Sequence, residues 1–288
     1  MAMGRGSVVI TGASTGIGRA CAQQLARAGF RVFAGVRRAE DGEALRQAAA
    51  GEVVPLMLDV TRAESVRAAA DTVTAAVGDA GLAGLVNNAG IVVAGPLEFL
   101  PVEKLRWQLE VNVVGLLAVT QAFLPLIRKA RGRIVHMGSV SGRMASPFTG
   151  PYAASKFAVE ALSDAMRLEL APWGIKVILV EPGAIATPIW EKSGRHADEL
   201  EAALPPAAAT LYGETTRRVR EAVAAIQRRA APVETVTAVV EDALTDDEPR
   251  TRYLVGNDAR AQAALAWLVP DRARDALLTR LLRLPRGA

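Results

Sequence analysis

The chain has 288 residues, of which 51% are hydrophobic and 22% charged, and its formal net charge is +4. Those values fit one large α/β domain with a substantial core and exclude a disordered chain; with Cys21 as the single cysteine they also exclude an intrachain disulfide. The basic excess is scattered along helical faces, with a mild concentration after Arg250 and no aromatic interleaving, which argues against a nucleic-acid partner.

Taken in chain order, SVVITG (7–12) is a short β-rich apolar run ending in glycine. GIGRACAQQLARAGF (16–30) carries apolar residues at helical spacing and stops at Gly29. Strands follow at 31–36 and 53–60, with a short helix at 40–50 between them and a longer one at 64–77 after. LAGLVNNAG (82–90) reads as a fourth strand with its turn, and 102–130 as one long helix bent near Pro125. GRIVHMGS (132–139) is a fifth strand. The helix at 151–174 has proline at its first position and a Pro/Gly stop. IKVILVEPG (175–183) and RTRYLVG (250–256) read as strands six and seven.

Strands alternate with helices, and the strands are continuous apolar runs. Both faces of the sheet must therefore be covered, which predicts a parallel, doubly wound sheet. Ligands then belong at the carboxyl ends of the strands. Residues 184 to about 232 break the alternation and read as an inserted helical flap beside the site; about 259–288 form a C-terminal helical extension of the same single domain, 1–288. The amphipathic, basic stretch 264–285 is expected to pack on its own domain or on a partner subunit, with contact to a membrane surface as the weaker alternative. No apolar run reaches a membrane span, no signal-peptide layout opens the chain, and a reducing cytoplasm is the expected compartment.

TGASTGIG (11–18) joins strand one to helix one, with glycines at 12, 16 and 18. Gly12 permits the tight turn, Gly16 and Gly18 permit close approach, and the helix N-terminus offers N–H groups to a pyrophosphate. Taken with NNAG (87–90), Asn112, Ser139, Tyr152-x-x-x-Lys156 and PGAIAT (182–187), this turn resembles the classical short-chain dehydrogenases/reductases, over about residues 5–190 and in the same order. The stretch from Ser141 to Leu170 is most similar to the retinol and 17β-hydroxysteroid dehydrogenase-like branch.

The resemblance implies a Rossmann-like fold with seven parallel strands in the order 3-2-1-4-5-6-7, helices on both faces, and a nicotinamide cofactor. It places Gly12, Ser14, Thr15, Gly16, Ile17 and Gly18 at the phosphates, and Asp59 and Val60 at the adenine. Asn88, Ala89 and Gly90 would line the cofactor, with Pro182, Gly183, Ile185 and Thr187 around the nicotinamide. The acid that NAD-preferring members carry at the end of strand two is replaced by Val36, followed by Arg37 and Arg38. A guanidinium there can grip a 2′-phosphate, so NADP(H) is expected over NAD(H). Thr15 stands where many NADP-dependent relatives carry a second basic residue, which works against that expectation.

A tyrosine and a lysine four apart share one helix face. A lysine cation about 4 Å from a phenolate, at an effective dielectric of ~20, stabilises it by about 4 kcal/mol, roughly three pKa units. Tyr152 would then titrate near neutrality, where acid/base catalysis works best. The chain has only five lysines, so one at this position is not filler. By resemblance, Ser139 donates to the substrate oxygen, Tyr152 exchanges the proton, Lys156 also reaches the cofactor ribose, and Asn112 holds a water linked to Lys156.

Val140, Met144, Phe148, Ile189 and Trp190 are the expected pocket wall, with Ile185, Leu211 and Tyr212 beside them. That wall is apolar and points to a lipid, retinoid or steroid-like alcohol or ketone. Cys21 reads as a small core residue, and neither His136 nor His196 has a second ligand at metal spacing, so no metal is expected. A homodimer or homotetramer through the helices at 102–130 and 151–172 is implied by the resemblance. The G-x-x-x-G-x-G turn and chain length argue against a sugar-nucleotide epimerase, and the Tyr–Lys spacing against an enoyl reductase; the alternative kept is a non-catalytic NADP-sensing regulator of the same fold, against which Asn112, Ser139, Tyr152 and Lys156 are all present.

Overall fold

The computed structural model describes residues 5–282 and 284. Seven short apolar runs form the strands: β1 Ser7–Ile10, β2 Arg31–Val36, β3 Val53–Met57, β4 Gly84–Asn87, β5 Arg133–Met137, β6 Lys176–Pro182 and β7 Arg252–Val255. They lie in one sheet, all paired parallel, in the order β3-β2-β1-β4-β5-β6-β7. The chain reverses direction across the sheet between β1 and β4, and the crevice at their carboxyl ends is where such a sheet takes a ligand.

The helices cover both faces: α1 Gly16–Arg27, α2 Ala39–Ala48, α3 Ala63–Val77, α4 Val102–Leu109, α5 Gly115–Ala130, α6 Gly150–Leu170, α7 Ile189–Ala203, α8 Pro206–Gln227, α9 Glu234–Thr245, α10 Asn257–Leu268 and α11 Asp271–Leu281. Alternate strand residues serve the two layers. Val8, Ile10, Ile178 and Val180 pack with Cys21, Leu25, Val236 and Val240 of α1 and α9. Val9, Ile134 and Val177 pack with Val73, Val119, Phe123 and Met166 of α3, α5 and α6. Each such fully buried Val, Leu or Phe contributes about 1.5–3 kcal/mol. That is why these strands read as unbroken apolar runs. The α9 helix, on which one face depends, had no place in the sequence reading; it follows the flap too closely to stand out from it.

The stretch 102–130 differs from expectation. The chain does not depart from α geometry at Pro125, which lies within α5. The departure is at Glu110–Val114, a single π turn in which the Gly115 N–H donates to the Glu110 carbonyl, five residues back. Gly115 also sits so close to strand three's extension that a Cβ would lie 2.8 Å from Val60 Cγ2. The same stretch is long and apolar enough, by length and composition, to cross a membrane. Here its buried residues, including Val119, Phe123 and Ile127, cover the sheet.

The flap leaves and rejoins the body at one neck. Ala186 N–H donates to Ala231 O and Ala231 N–H to Ala184 O, each at 2.9 Å. The helices α7 and α8 lie between. Beyond β7 come α10 and α11; residues 283 and 285–288 of the expected extension, and residues 1–4, lie outside the described residues.

Candidate active site

The phosphate end is built by close backbone contact. Gly12 has a φ of +66°, a left-handed conformation natural to glycine, and a Cβ there would lie 2.8 Å from Ala89 Cα. A Cβ on Gly18 would lie 2.4 Å from both Gly12 O and Asn88 Nδ2. Asn88 and Thr11 tie β1 to β4. The N–H groups of Asn88 and Ala89 both donate to Thr11 Oγ1 at 2.9 Å, and Asn88 Nδ2 donates to the Thr11 and Gly12 carbonyls. Asn88 is therefore spent on bracing the turn. Thr15 caps α1 in extended geometry but makes no side-chain cap bond, and the first turn of α1 carries no acidic residue. Its N–H groups and dipole are free for an anion, which fits a dinucleotide pyrophosphate at this turn.

At the end of β2, Arg37 and Arg38 are both exposed. Arg38 is already held, donating from Nε and Nη2 to the two Asp41 oxygens at 2.9 and 2.7 Å. The expected pair of free guanidinium groups is thus reduced to Arg37. Arg37 lies near Asp59. Burial pushes the Asp59 carboxyl up, but hydrogen bonds from Thr61 and the charges of Arg37 and Arg62 outweigh it, and Asp59 titrates below its ordinary value.

The reacting end lies over β5 and the start of α6. Gly150 and Pro151 open α6, which puts Tyr152 and Lys156 on the face toward Ser139. Lys156 is 7% exposed; its Nζ donates to Met137 O at 2.7 Å and lies 5.7 Å from the Tyr152 ring centroid. Burial pushes the ammonium down to about 8, against a smaller opposing pull from Glu160. Burial also raises the Tyr152 phenol above its ordinary value, and contact with the Ser139 hydroxyl offsets part of that. Burial thus acts against the lowered phenol expected from the Tyr-x-x-x-Lys spacing, while the Lys156 ammonium on the same helix face is the cation that would offset it.

Asn112 sits in the π turn, 2% exposed. Its Oδ1 accepts from Ile91 N–H at 2.9 Å, and its Nδ2 donates to Ile91 O and Ser155 Oγ, both at 3.1 Å. Ser155 in turn donates to Tyr152 O at 2.7 Å. The side chain fixes the loop after β4 against the helix that carries the tyrosine. Gln108 repeats the pattern one turn earlier, accepting from Val93 N–H and donating to Ile91 O. Sequence reasoning passed over Gln108, although a glutamine facing an apolar helix stripe is a readable signal.

Two further supports were also missed. Asp258, at the start of α10, accepts from Ala184 N–H at 2.7 Å and lies where a Cβ on Gly183 would be, 2.2 Å from Oδ2. It therefore fixes the Pro182-Gly183 turn. Arg143 pairs with the fully buried Glu181, and Arg252 with Glu160 and Asp164, below Lys156. Burial and the neighbouring Glu181 push the Glu160 carboxyl up.

On the substrate side, Val140, Met144 and Ile185 are buried, while Ile189 is 37% and Leu211 62% exposed at the rim. Trp190 is anchored by its indole N–H on Ile185 O at 2.7 Å. Tyr212 meets Phe148 and Phe99 edge to face, at 6.0 and 5.9 Å between centroids. Phe148 has a φ of +66°, which costs a phenylalanine backbone strain, and its carbonyl is tied to Gly95 N–H at 2.8 Å. Two loops and α8, distant in sequence, thus close one apolar lip.

His136 lies fully buried in β5, with Nδ1 2.9 Å from Ser163 Oγ. Because Ser163 donates to Val159 O, the Nδ1 proton is assigned to the histidine. Burial, then the Lys156 charge, push its pKa down to about 4. The unfolded imidazole titrates near 6.5 and takes up a proton first as pH falls. Stability is therefore complete above about 6.5, and roughly 3 kcal/mol of it is lost between pH 6.5 and 4. Urea unfolding across that range should show this slope in the wild type, and His136→Leu should flatten it; an equally steep variant would place the acid sensitivity elsewhere.

The short chain dehydrogenase family model matches residues 7–198. The chain is 39% identical to retinol dehydrogenase 5 of Mus musculus, over 96% of this chain and 89% of that one. It is 38% identical to 17-beta-hydroxysteroid dehydrogenase type 6 of Bos taurus, over 95% and 87%. It is 36% identical to an NADPH-dependent 3-dehydrocapnine reductase of Ornithobacterium rhinotracheale, over 96% of each chain. Among solved structures, a short chain dehydrogenase from Burkholderia cenocepacia J2315 in complex with NADP superimposes with a TM-score of 0.70 at 28% identity, over 98% of each chain.

Proposed function

The chain belongs to the short-chain dehydrogenase family, and on that premise we propose that it transfers hydride between NADP(H) and a hydrophobic alcohol or ketone, with Tyr152 as the acid/base. The observation that carries this is the convergence of Ser139, Tyr152 and Lys156 beside an apolar lip, at the carboxyl ends of β4, β5 and β6. The dinucleotide, when bound at the glycine turn, supplies or accepts the hydride. In reduction, Ser139 and Tyr152 both hydrogen-bond the carbonyl oxygen, and Tyr152 gives it a proton as negative charge develops there. The Lys156 ammonium stabilises the phenolate that results. In oxidation the proton returns to Tyr152.

NADPH is preferred to NADH because Val36 and exposed Arg37 stand where a ribose-binding acid would exclude a 2′-phosphate. The NADP-bound structural neighbour and the NADPH-dependent relative support that choice. The relatives' names and the lip of Phe99, Phe148 and Tyr212 favour a retinoid, steroid or other lipid carbonyl. We also place the protein in the cytoplasm, on its single buried cysteine, and as a homodimer or homotetramer. Val114, Phe157 and Leu168 are 49%, 46% and 69% exposed along the helices such contacts would use, and sedimentation tests it.

The test is nicotinamide absorbance with NADPH, and separately NADH, against retinoid, steroid and long-chain carbonyls and a set of small polar ones. NADPH oxidation with the apolar group is the expected result. Turnover confined to small polar carbonyls refutes the substrate class, and tight cofactor binding with no turnover favours the non-catalytic sensor.

A further inference from the structure

Flap and phosphate turn meet through a polar contact. Lys192, in the first turn of α7, donates from Nζ to Thr15 Oγ1 at 2.8 Å, across 177 positions of sequence. The contact is held in place from both sides. Gly16, with a φ of +58°, sits against the residues that precede α7, where a Cβ would be 3.4 Å from Thr187 Cβ and 3.9 Å from Pro188 Cδ. The neck at Ala184, Ala186 and Ala231 fixes the base of the flap.

We propose that Lys192 is a cation that, beside Arg37, recognises the 2′-phosphate of NADPH, delivered to the glycine turn by the flap; this rests on the NADP reading above. Four cations surround the turn and the end of β2: Arg19, Arg37, Arg38 and Lys192. Arg38 is neutralised by its two-point pair with Asp41. Arg37, at the end of β2, feels the Asp59 carboxylate but makes no ion pair among the described residues, so it stands beside Lys192 at the same place, as does Arg19. Among the described residues Lys192 likewise makes no ion pair, and of these four it is the one whose side chain is hydrogen-bonded to the phosphate turn; its partner there is a neutral hydroxyl, so its charge remains available to an anion. Its position is on the β2 side of the turn, since the Asp41 carboxyl, held down first by Arg38, also feels Lys192 and Arg19. That is the side on which the adenosine ribose must lie, opposite the nicotinamide over β5. A phosphate dianion there gains a point charge on a flexible stem, whereas the plain 2′-hydroxyl of NADH can only accept one hydrogen bond from the ammonium, with no charge to pair.

The side chain is exposed and its bond to Thr15 contributes little to stability, so substitution should leave the fold intact. Dissociation constants for NADPH and NADH, and for 2′,5′-ADP and 5′-AMP as adenosine-end probes, should be measured in wild type and Lys192→Gln. The expected result is about tenfold or greater weakening of NADPH and 2′,5′-ADP, with NADH and 5′-AMP changed less than about twofold. Adding Thr15→Lys to Lys192→Gln, which returns an ammonium to the same place from the turn itself, should restore most of the preference. A wild type that prefers NADPH and a variant with the same ratio overturn the assignment alone. Equal weakening of NADPH and NADH also overturns it, by moving Lys192 to the shared pyrophosphate. A wild type that binds NADH as tightly as NADPH removes the NADP reading and this assignment together.

Discussion

Tyr152→Phe is expected to cut turnover by roughly two to four orders of magnitude while NADPH binding stays within about threefold, as removal of a general acid should. The ring keeps its place beside Lys156, and the hydrogen bond that Ser155 makes is to the Tyr152 backbone carbonyl, so the fold loses nothing. Only the phenol oxygen near Ser139 is gone. Turnover above about a tenth of wild type would sink the role. The pH profile adds a second reading. Lys156, pushed down to about 8 by burial, is charged below that value and neutral above it. If the ammonium stabilises the phenolate, kcat/KM for reduction is full below about pH 8 and falls as pH rises through it. A flat profile from pH 7 to 9 would mean that the lysine charge is not needed.

The second large effect is at Gly18. A methyl group there would be 2.4 Å from the Gly12 carbonyl oxygen and 2.4 Å from Asn88 Nδ2, and no real Cβ survives such contacts without a shift. The Gly12 oxygen belongs to the backbone of the phosphate turn, so the turn itself must open. It would also break the Asn88 bond to that carbonyl, at 3.2 Å. Gly18→Ala is therefore expected to lose about 1–3 kcal/mol of stability, as overpacking does. Cofactor affinity should fall by about a hundredfold, the order expected when a positioned group is displaced by about 1 Å. Gly194→Ala is the matched control: it also lies in a helix, nothing lies within 4 Å of its added Cβ, and it should be neutral or slightly stabilising. Calorimetry and cofactor titration on both variants distinguish the outcomes; a Gly18→Ala protein that binds cofactor normally would show that the turn is not the phosphate cradle.

Much of this was legible in one dimension. Unbroken apolar runs alternating with 3.6-period helices specify a parallel sheet covered on both faces, because each run must satisfy two layers. The glycines of the turn, the Tyr-x-x-x-Lys spacing and the strand-end Ser139 are local features, and local geometry fixes them: a left-handed φ at Gly12, one helix face for Tyr152 and Lys156, a strand end for Ser139. Their order along the chain was enough to identify the family and the position of the site on the sheet.

What only the folded chain decided are pairings between distant residues, for which periodicity carries no signal. Glu110–Val114 winds as a π turn with Gly115 set against Val60, and nothing in the apolar pattern of 102–130 distinguishes that from a continuous helix. Asp41, three residues along, captured one of the two arginines read as phosphate ligands. Burial pushes the Tyr152 phenol up and the Lys156 ammonium down, a desolvation cost that a two-body estimate of their attraction leaves out. Thr15 looked like a missing cation in sequence. In the fold, a lysine from the flap stands on it, since a side chain's partner is chosen by where the backbone brings it rather than by its neighbours in the chain.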